Sequence, residues 1–254
     1  MRALPPFVRD LHLYADGREI AWGCPMTLEA RESLTLRPAL HHLEIRDLSE
    51  SSEAWLSCAQ AIELRSGNSI LAFGERMECL TRTASGKRVT SVVFSRGLSL
   101  WNASVALSVP AGMKVRDTMQ AVLAASEMEV PLAAFAAEDR SLVRPQAFFG
   151  RACDALSLLA ETVEADAFLS AAGLCISGRA AREPGGMIPE NSLLSKPIRT
   201  GSRLLITTSM LGWPIGAFVR VSWQGSTWTG RLVSRMIQAD NREGPWKSEL
   251  EVEL

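Results

Sequence analysis

The chain has 254 residues, 47% apolar and 22% charged, with 27 lysines and arginines against 28 aspartates and glutamates and a net charge of -1. That balance excludes a disordered acidic tail and the basic surplus that a dedicated nucleic-acid binder needs for counterion release. The length suits one or two domains of about 100–150 residues each.

The N-terminal part reads as β-structure punctuated by turns. Short strands are expected at Glu19–Trp22, Met26–Ala30 and Leu34–Leu36, with Pro25 and Pro38 limiting each ladder. Leu43–Arg46 and Ile62–Arg65 alternate apolar and polar residues, the period of a half-buried strand. Gly67-Asn68 then turns the chain into Ile70–Phe73, a hairpin signal, because glycine supplies the positive φ of a tight turn. Between these strands Ser51–Ser57 predicts a short serine-capped helix. A second turn at Ser85-Gly86-Lys87 leads into the valine-rich strand Val89–Phe94.

The period changes in the middle of the chain. Val115, Met119, Val122 and Leu123 predict a helix over about 116–127, with Asp117 favourably placed in its first turn. Ala152, Leu156, Leu159, Ala160 and Val163 predict a second helix ending near Asp166. Phe168–Leu169 and Leu174–Ile176 then form a small hairpin, so this unit is α+β. Gly178–Asn191, rich in Gly, Pro and Arg, reads as an exposed crossing. Strands return at Leu204–Thr208, at Val219–Trp223 and, beyond the Gln224-Gly225-Ser226 turn, at Trp228–Arg231. Trp246–Leu254 alternates throughout, with apolar or small residues at even positions.

Few residues offer chemistry. There are three histidines and one tyrosine, and the five cysteines include no C-x-x-C pair, which predicts reduced thiols and no zinc or disulfide framework. Met1–Asp10 has no apolar signal core, and the longest apolar run, Val130–Ala137, is far short of the ~20 residues of a membrane span. Neither a G-x-G-x-x-G nor a Walker loop, a G-x-S-x-G elbow or an H-E-x-x-H occurs. His41-His42 with Glu44 has metal-ligand chemistry but needs a further ligand from elsewhere; its plainer reading is a pair of histidines ending an exposed strand. Glu138-Asp139 and the Glu161/Glu164 pair read as solvated charge. The expected assignment is no catalytic residue, no metal and no cofactor.

Two features suggest contact. Trp213, Trp223, Trp228 and Trp246 gather late and read as packing within a barrel or as candidate anchors of a subunit or partner interface, with stacking on bases or sugars as the alternative. Glu249, Glu251 and Glu253 line one face of the last strand. They read either as a solvated sheet face or as the wall of a passage that a polyanion traverses without sticking.

The order of segments resembles a family. Ser33–Leu36, Pro38 and Leu43–Leu48 look like the opening of the baseplate hub proteins of bacteriophage tails, the late control protein D-like hubs. Gly112–Ala125, Phe149-Gly150-Arg151 with Asp154-Ala155-Leu156, and the hairpin around Gly173-Leu174 are similar to the family's middle segments. Met187-Ile188-Pro189, Lys196-Pro197-Ile198, Pro214-Ile215-Gly216 and Asp240 with Trp246–Leu250 resemble its closing barrel. The resemblance implies a β-rich α+β fold: tube-like β-barrels at 1–105 and 186–254 and an inserted α+β unit at 106–185. It further implies a homotrimeric structural protein of the virion tail, linking a sixfold tail tube to a threefold spike and assembled in the bacterial host cytoplasm. Its partners would be the tail tube and distal tail proteins, a spike or tail-tip protein and the tape measure protein, with DNA present only in passage. The alternatives are a tail-associated cell-wall-degrading enzyme domain, which requires carboxylates, histidines or cysteines to converge, and a carbohydrate-binding β module, which requires an exposed tryptophan beside a groove.

Overall fold

The structure, a computed structural model, describes residues 9–84, 86–180 and 182–254. Asp16 and Gly17, both at positive φ, turn β1 (His12–Ala15) back into β2 (Arg18–Trp22). β3 (Met26–Ser33) and β4 (Ala39–Arg46) follow, but Leu34–Leu36 between them bends instead of pairing, so that segment is no strand. Helix α1 (Glu50–Cys58) lies where expected, capped one turn earlier by Ser49, whose hydroxyl accepts from the Ser52 amide at 3.2 Å. β5 (Ala61–Ser66) and β6 (Ser69–Ala84) form the Gly67-Asn68 hairpin. β6 runs far beyond Phe73: its first part pairs with β5 as far as Glu75, and from Glu75 onward, across a bulge at Arg76/Glu78, it pairs with β7 (Lys87–Arg96).

The middle unit comprises α2 (Leu98–Asn102), β8 (Ser104–Val109), α3 (Val115–Ala125), β9 (Leu132–Ala136), β10 (Gln146–Arg151), α4 (Ala152–Thr162), β11 (Ala165–Ser170) and β12 (Gly173–Gly178). α3 buries Val115, Met119, Val122 and Leu123, the face that the spacing predicts. α4 stops short of Asp166, because Glu164 at φ 53° reverses the chain and Ala165 begins β11. β8 with β10 makes a two-stranded ribbon, and β9 lies parallel to β12 in a separate small sheet.

The last part contains β13 (Gly186–Ile188), β14 (Ile198–Thr200), β15 (Arg203–Thr208), β16 (Phe218–Trp223), β17 (Ser226–Asp240) and β18 (Trp246–Glu253). The Gly178–Asn191 crossing is therefore partly ordered into the sheet, with Ile188 fully buried against its core. One 13-stranded sheet runs β14-β15-β18-β17-β3-β4-β7-β6-β5-β1-β2, with β16 on the far part of β17 and β13 on β16.

The join is β17. Its Ser234–Asp240 half pairs with β3 and sends Ile237 and Ala239 into the N-terminal core beside Leu28, Leu43 and Phe94. Its Leu232 and Val233 belong to the C-terminal core with Leu204, Val219 and Val252. Packing thus crosses the boundary near 185: two β-cores share one sheet, and a third core fills the middle unit. The β17–β18 approach is tight, since a Cβ on Gly230 would lie 2.2 Å from the Glu253 carbonyl oxygen. Gly230→Ala is expected to cost about 1–3 kcal/mol by forcing those strands apart. Urea unfolding measures this, and an unchanged midpoint would show that the strands yield freely.

Candidate functional site

The tryptophans do not form one exposed cluster. Trp246 is a core residue among the N-terminal apolar side chains, which favours packing within the chain over an interface anchor: β18 delivers it inward at the even-numbered positions of its alternation. Trp213 and Trp228 pack half-buried against the C-terminal core, and Trp213 lies so close to Gly186 that a Cβ there would meet its ring at 2.7 Å. Trp223 is half-buried, and its indole N–H, like that of Trp213, is enclosed without a hydrogen-bond partner. The exposed indoles are instead Trp22 on β2, which stacks on His12, and Trp55 on α1, neither of which stands out in the sequence.

Glu249, Glu251 and Glu253 do share one outward-looking face of β18, as the period of two requires. They are neither at a sheet edge nor alone, since β18 lies between β15 and β17. Lys247 pairs with Glu249 at 2.8 Å, and Arg203 meets Glu251 at 3.1 Å and Glu253 at 3.6 Å. Buried Arg231 bridges Glu253 at 3.2 Å to Asp166 at 2.6 Å, and Arg179 takes the other Asp166 oxygen at 2.8 Å. Burial pushes the Asp166 carboxyl up, but the two guanidiniums outweigh it and hold the group below its ordinary range. The acidic face is thus a lattice of neutralised pairs: Lys247 on β18 itself serves Glu249, and the neighbouring strands β15 and β17 supply Arg203 and Arg231 to Glu251 and Glu253.

The largest polar feature inside the molecule is one that the sequence reading passed over. Glu32 on β3, His41 on β4, Arg96 at the end of β7 and Arg235 on β17 are all buried at the meeting of the three cores. Arg235 donates from Nε to Glu32 Oε2 at 2.7 Å, and from its other nitrogens to the carbonyls of Trp213 at 2.7 Å and Leu71 at 2.9 Å. Arg96 donates to the Leu169 carbonyl of the middle unit and to the Ser33 carbonyl, each at 3.0 Å, and lies 3.6 Å from Glu32 Oε1. Burial pushes Glu32 up, but Arg235, Arg96 and His41 together outweigh it and lower its pKa. His41 packs tilted against Phe94 with ring centroids 5.0 Å apart, both ring nitrogens lack partners, and burial lowers its pKa to about 4. It is a core residue, not the end of an exposed strand. This junction ties the two β-parts and the middle unit to one carboxylate.

The other polar candidates stay apart. His42 and Glu44 do lie on the same face, opposite His41, but Glu44 is paired with Arg82 at 3.0 Å. Glu138 and Glu164 share Arg140 on the surface, and the Asp139 carboxylate accepts from the Arg116 amide at the start of α3. No group of three or more His, Cys, Asp or Glu side chains converges for a metal among the described residues, and no helix there is long and apolar enough to cross a membrane.

No family model and no curated protein matches the chain. Solved structures do. The tail protein from Neisseria meningitidis MC58 superposes with a TM-score of 0.76 over 98% of this chain and 97% of its own, at 13% identity. The chain has the fold of phage tail proteins. The 43 kDa tail protein of prophage MuSo2 from Shewanella oneidensis matches with a TM-score of 0.71 at 11% identity, covering 96% of both chains. An E. coli component of the type VI secretion system, itself structurally similar to bacteriophage T4 tail proteins, gives 0.65 at 9% identity over 95% of this chain and 76% of its own. The matched region takes in the β-parts and the middle unit alike.

Proposed function

We propose that the chain is a structural subunit of a phage tail or a related tail-like machine: a homotrimeric baseplate hub joining a sixfold tube to a threefold spike and leaving a channel for the genome. The observation that carries this reading is the single sheet shared by two β-cores in a fold that superposes on tail proteins from end to end. Three copies, each with two β-parts, supply six comparable segments, which is how a threefold object meets a sixfold one. Among the described residues β2, β14 and β13 are edge strands of the sheet, each paired on one side only. Edges of this kind invite pairing, and a head-to-tail contact between different edges closes a ring.

In this reading the parts at 1–105 and 186–254 are the tube-like barrels and 106–185 is the inserted unit. Tail tube and distal tail proteins meet one rim, a spike or tail-tip protein meets the other, and the tape measure protein and then DNA occupy the passage. The face bearing Glu249, Glu251 and Glu253 lines that passage. Its cations are already committed to carboxylates, so a phosphate backbone gains little by binding them. The part is not an enzyme, and its assembly takes place in the host cytoplasm.

Native mass measurement tests the reading. A species at three times the 27.7 kDa of the chain is the expected result. A monomer at every concentration up to the solubility limit, with or without tail tube protein present, overturns it.

A further inference from the structure

A groove of about 590 Å3 opens between the N-terminal β-part and the middle unit. Its walls are mostly apolar, formed by Ile62 and Phe73 on one side and Leu100, Val130 and Leu169 on the other, with the Ala171-Ala172 turn overhanging. Its polar lining is acidic in balance. Glu63, Glu75 and Glu129 contribute carboxylates, whereas Arg65, the one lining cation among the described residues, is ion-paired with Glu63 and lies 4.7 Å over the Tyr14 ring. Glu75 accepts from the Ser99 hydroxyl at 2.6 Å and from its amide at 3.1 Å, and Glu129 is exposed. A groove with apolar walls and surplus carboxylates fits an extended segment in which a cation sits between apolar side chains.

The chain itself presents such a segment. Leu194 and Ile198 are 55% and 61% exposed, a high value for large apolar side chains, and Lys196 projects into solvent between them. Pro197 breaks any ladder here, and Arg199, also exposed, spends only one hydrogen bond, on the Gly201 carbonyl. The segment runs into the edge strand β14, while the groove is lined by β5 and β6, several strands away in the sheet order. Segment and groove are therefore different surfaces of one molecule, as the two halves of a head-to-tail contact must be.

We propose that the Leu194–Arg199 segment of one copy seats in this groove of a second copy, with Lys196 facing Glu129 and Glu75 and with Leu194 and Ile198 against the apolar walls. The inference rests on the ring-forming reading above and names the contact that closes the ring. Seating would clamp the N-terminal part to the middle unit, since the walls come from both.

Charge exchange tests it on the full chain, read by native mass and by sedimentation. Lys196→Glu and Glu129→Lys, both at exposed positions, should each weaken self-association at least about tenfold without changing the unfolding temperature. Combining them should restore most of the loss, because the pair is re-formed with its signs reversed. Ala172→Trp, which fills the mouth of the groove, should abolish association even in the combined variant. If the native chain forms a trimer that all these variants retain, the contact is wrong while the hub reading stands. If the double variant associates no better than the singles, the pairing is wrong. A native chain that stays monomeric removes both.

Discussion

Glu32→Ala is expected to cost about 3–5 kcal/mol at neutral pH, among the largest losses available from any single side chain in this fold. The reason is what remains. Arg235 and Arg96 stay buried, and only their carbonyl partners, those of Trp213, Leu71, Leu169 and Ser33, are left to satisfy them. Two guanidiniums without a carboxylate in a desolvated junction are penalised far more than the original triad stabilised the protein. Glu32→Gln keeps the shape and one acceptor but not the charge, and should lose less than alanine does. Denaturant unfolding at pH 7 gives the numbers. A loss below about 1 kcal/mol for alanine would mean that water reaches both arginines freely. Because Leu169 belongs to the middle unit and Arg235 to the C-terminal part, the variant should also loosen all three parts together. Hydrogen exchange would register that as lost protection on β11 as well as on β3 and β17.

That junction has a signature in the sequence. The inward-facing rows are Leu28-Ala30-Glu32, His41-Leu43-Ile45, Val92-Phe94-Arg96 and Arg235-Ile237-Ala239. In each, a charged or titratable residue extends an apolar row by one step of two, and the four extensions meet. Reading charge as outward by default hides such a pattern, whereas the same default is correct for Glu249, Glu251 and Glu253. Local signals did well where neighbours in sequence are neighbours in space: the α3 and α4 faces, the Gly67-Asn68 hairpin and the alternation of β18. They failed where pairing is distant. β8 and β10 form a ribbon across an intervening helix and strand, and β9 joins β12 in parallel with an alanine-rich sequence of little β character. The lengths of β6 and β17 could not be read locally either, because each changes partner along its course. The late tryptophans stay ambiguous for a related reason, since a large apolar residue marks a contact without saying whether the other side is the same chain.

His41 predicts an acid sensitivity that can be assigned to one residue. Its pKa is lowered from 6.5 to about 4, chiefly by burial, with Arg96, Arg235 and His42 acting in the same direction and Glu32 opposing them. Between those values the unfolded chain binds a proton at this position and the folded chain does not, so stability falls as pH falls through that window. The loss accumulates from about pH 6.5, levels off below about 4 and amounts to about 3 kcal/mol. Glu32, with its pKa lowered, contributes in the same direction but lower on the scale: its stabilisation is present above the unfolded carboxylate value and fades only as pH drops through the folded one. The interval from about 4.5 to 6.5 therefore belongs to His41 when the chain is compared with a variant lacking that ring. His41→Leu, close in volume and free of the two unpartnered nitrogens, should be at least as stable as the native chain at pH 7. Its stability should vary less across that interval by about 1 kcal/mol per pH unit. Unfolding curves taken every half unit decide the matter, and parallel profiles for the two proteins would show that Glu32 offsets burial and leaves His41 at its ordinary value inside the fold.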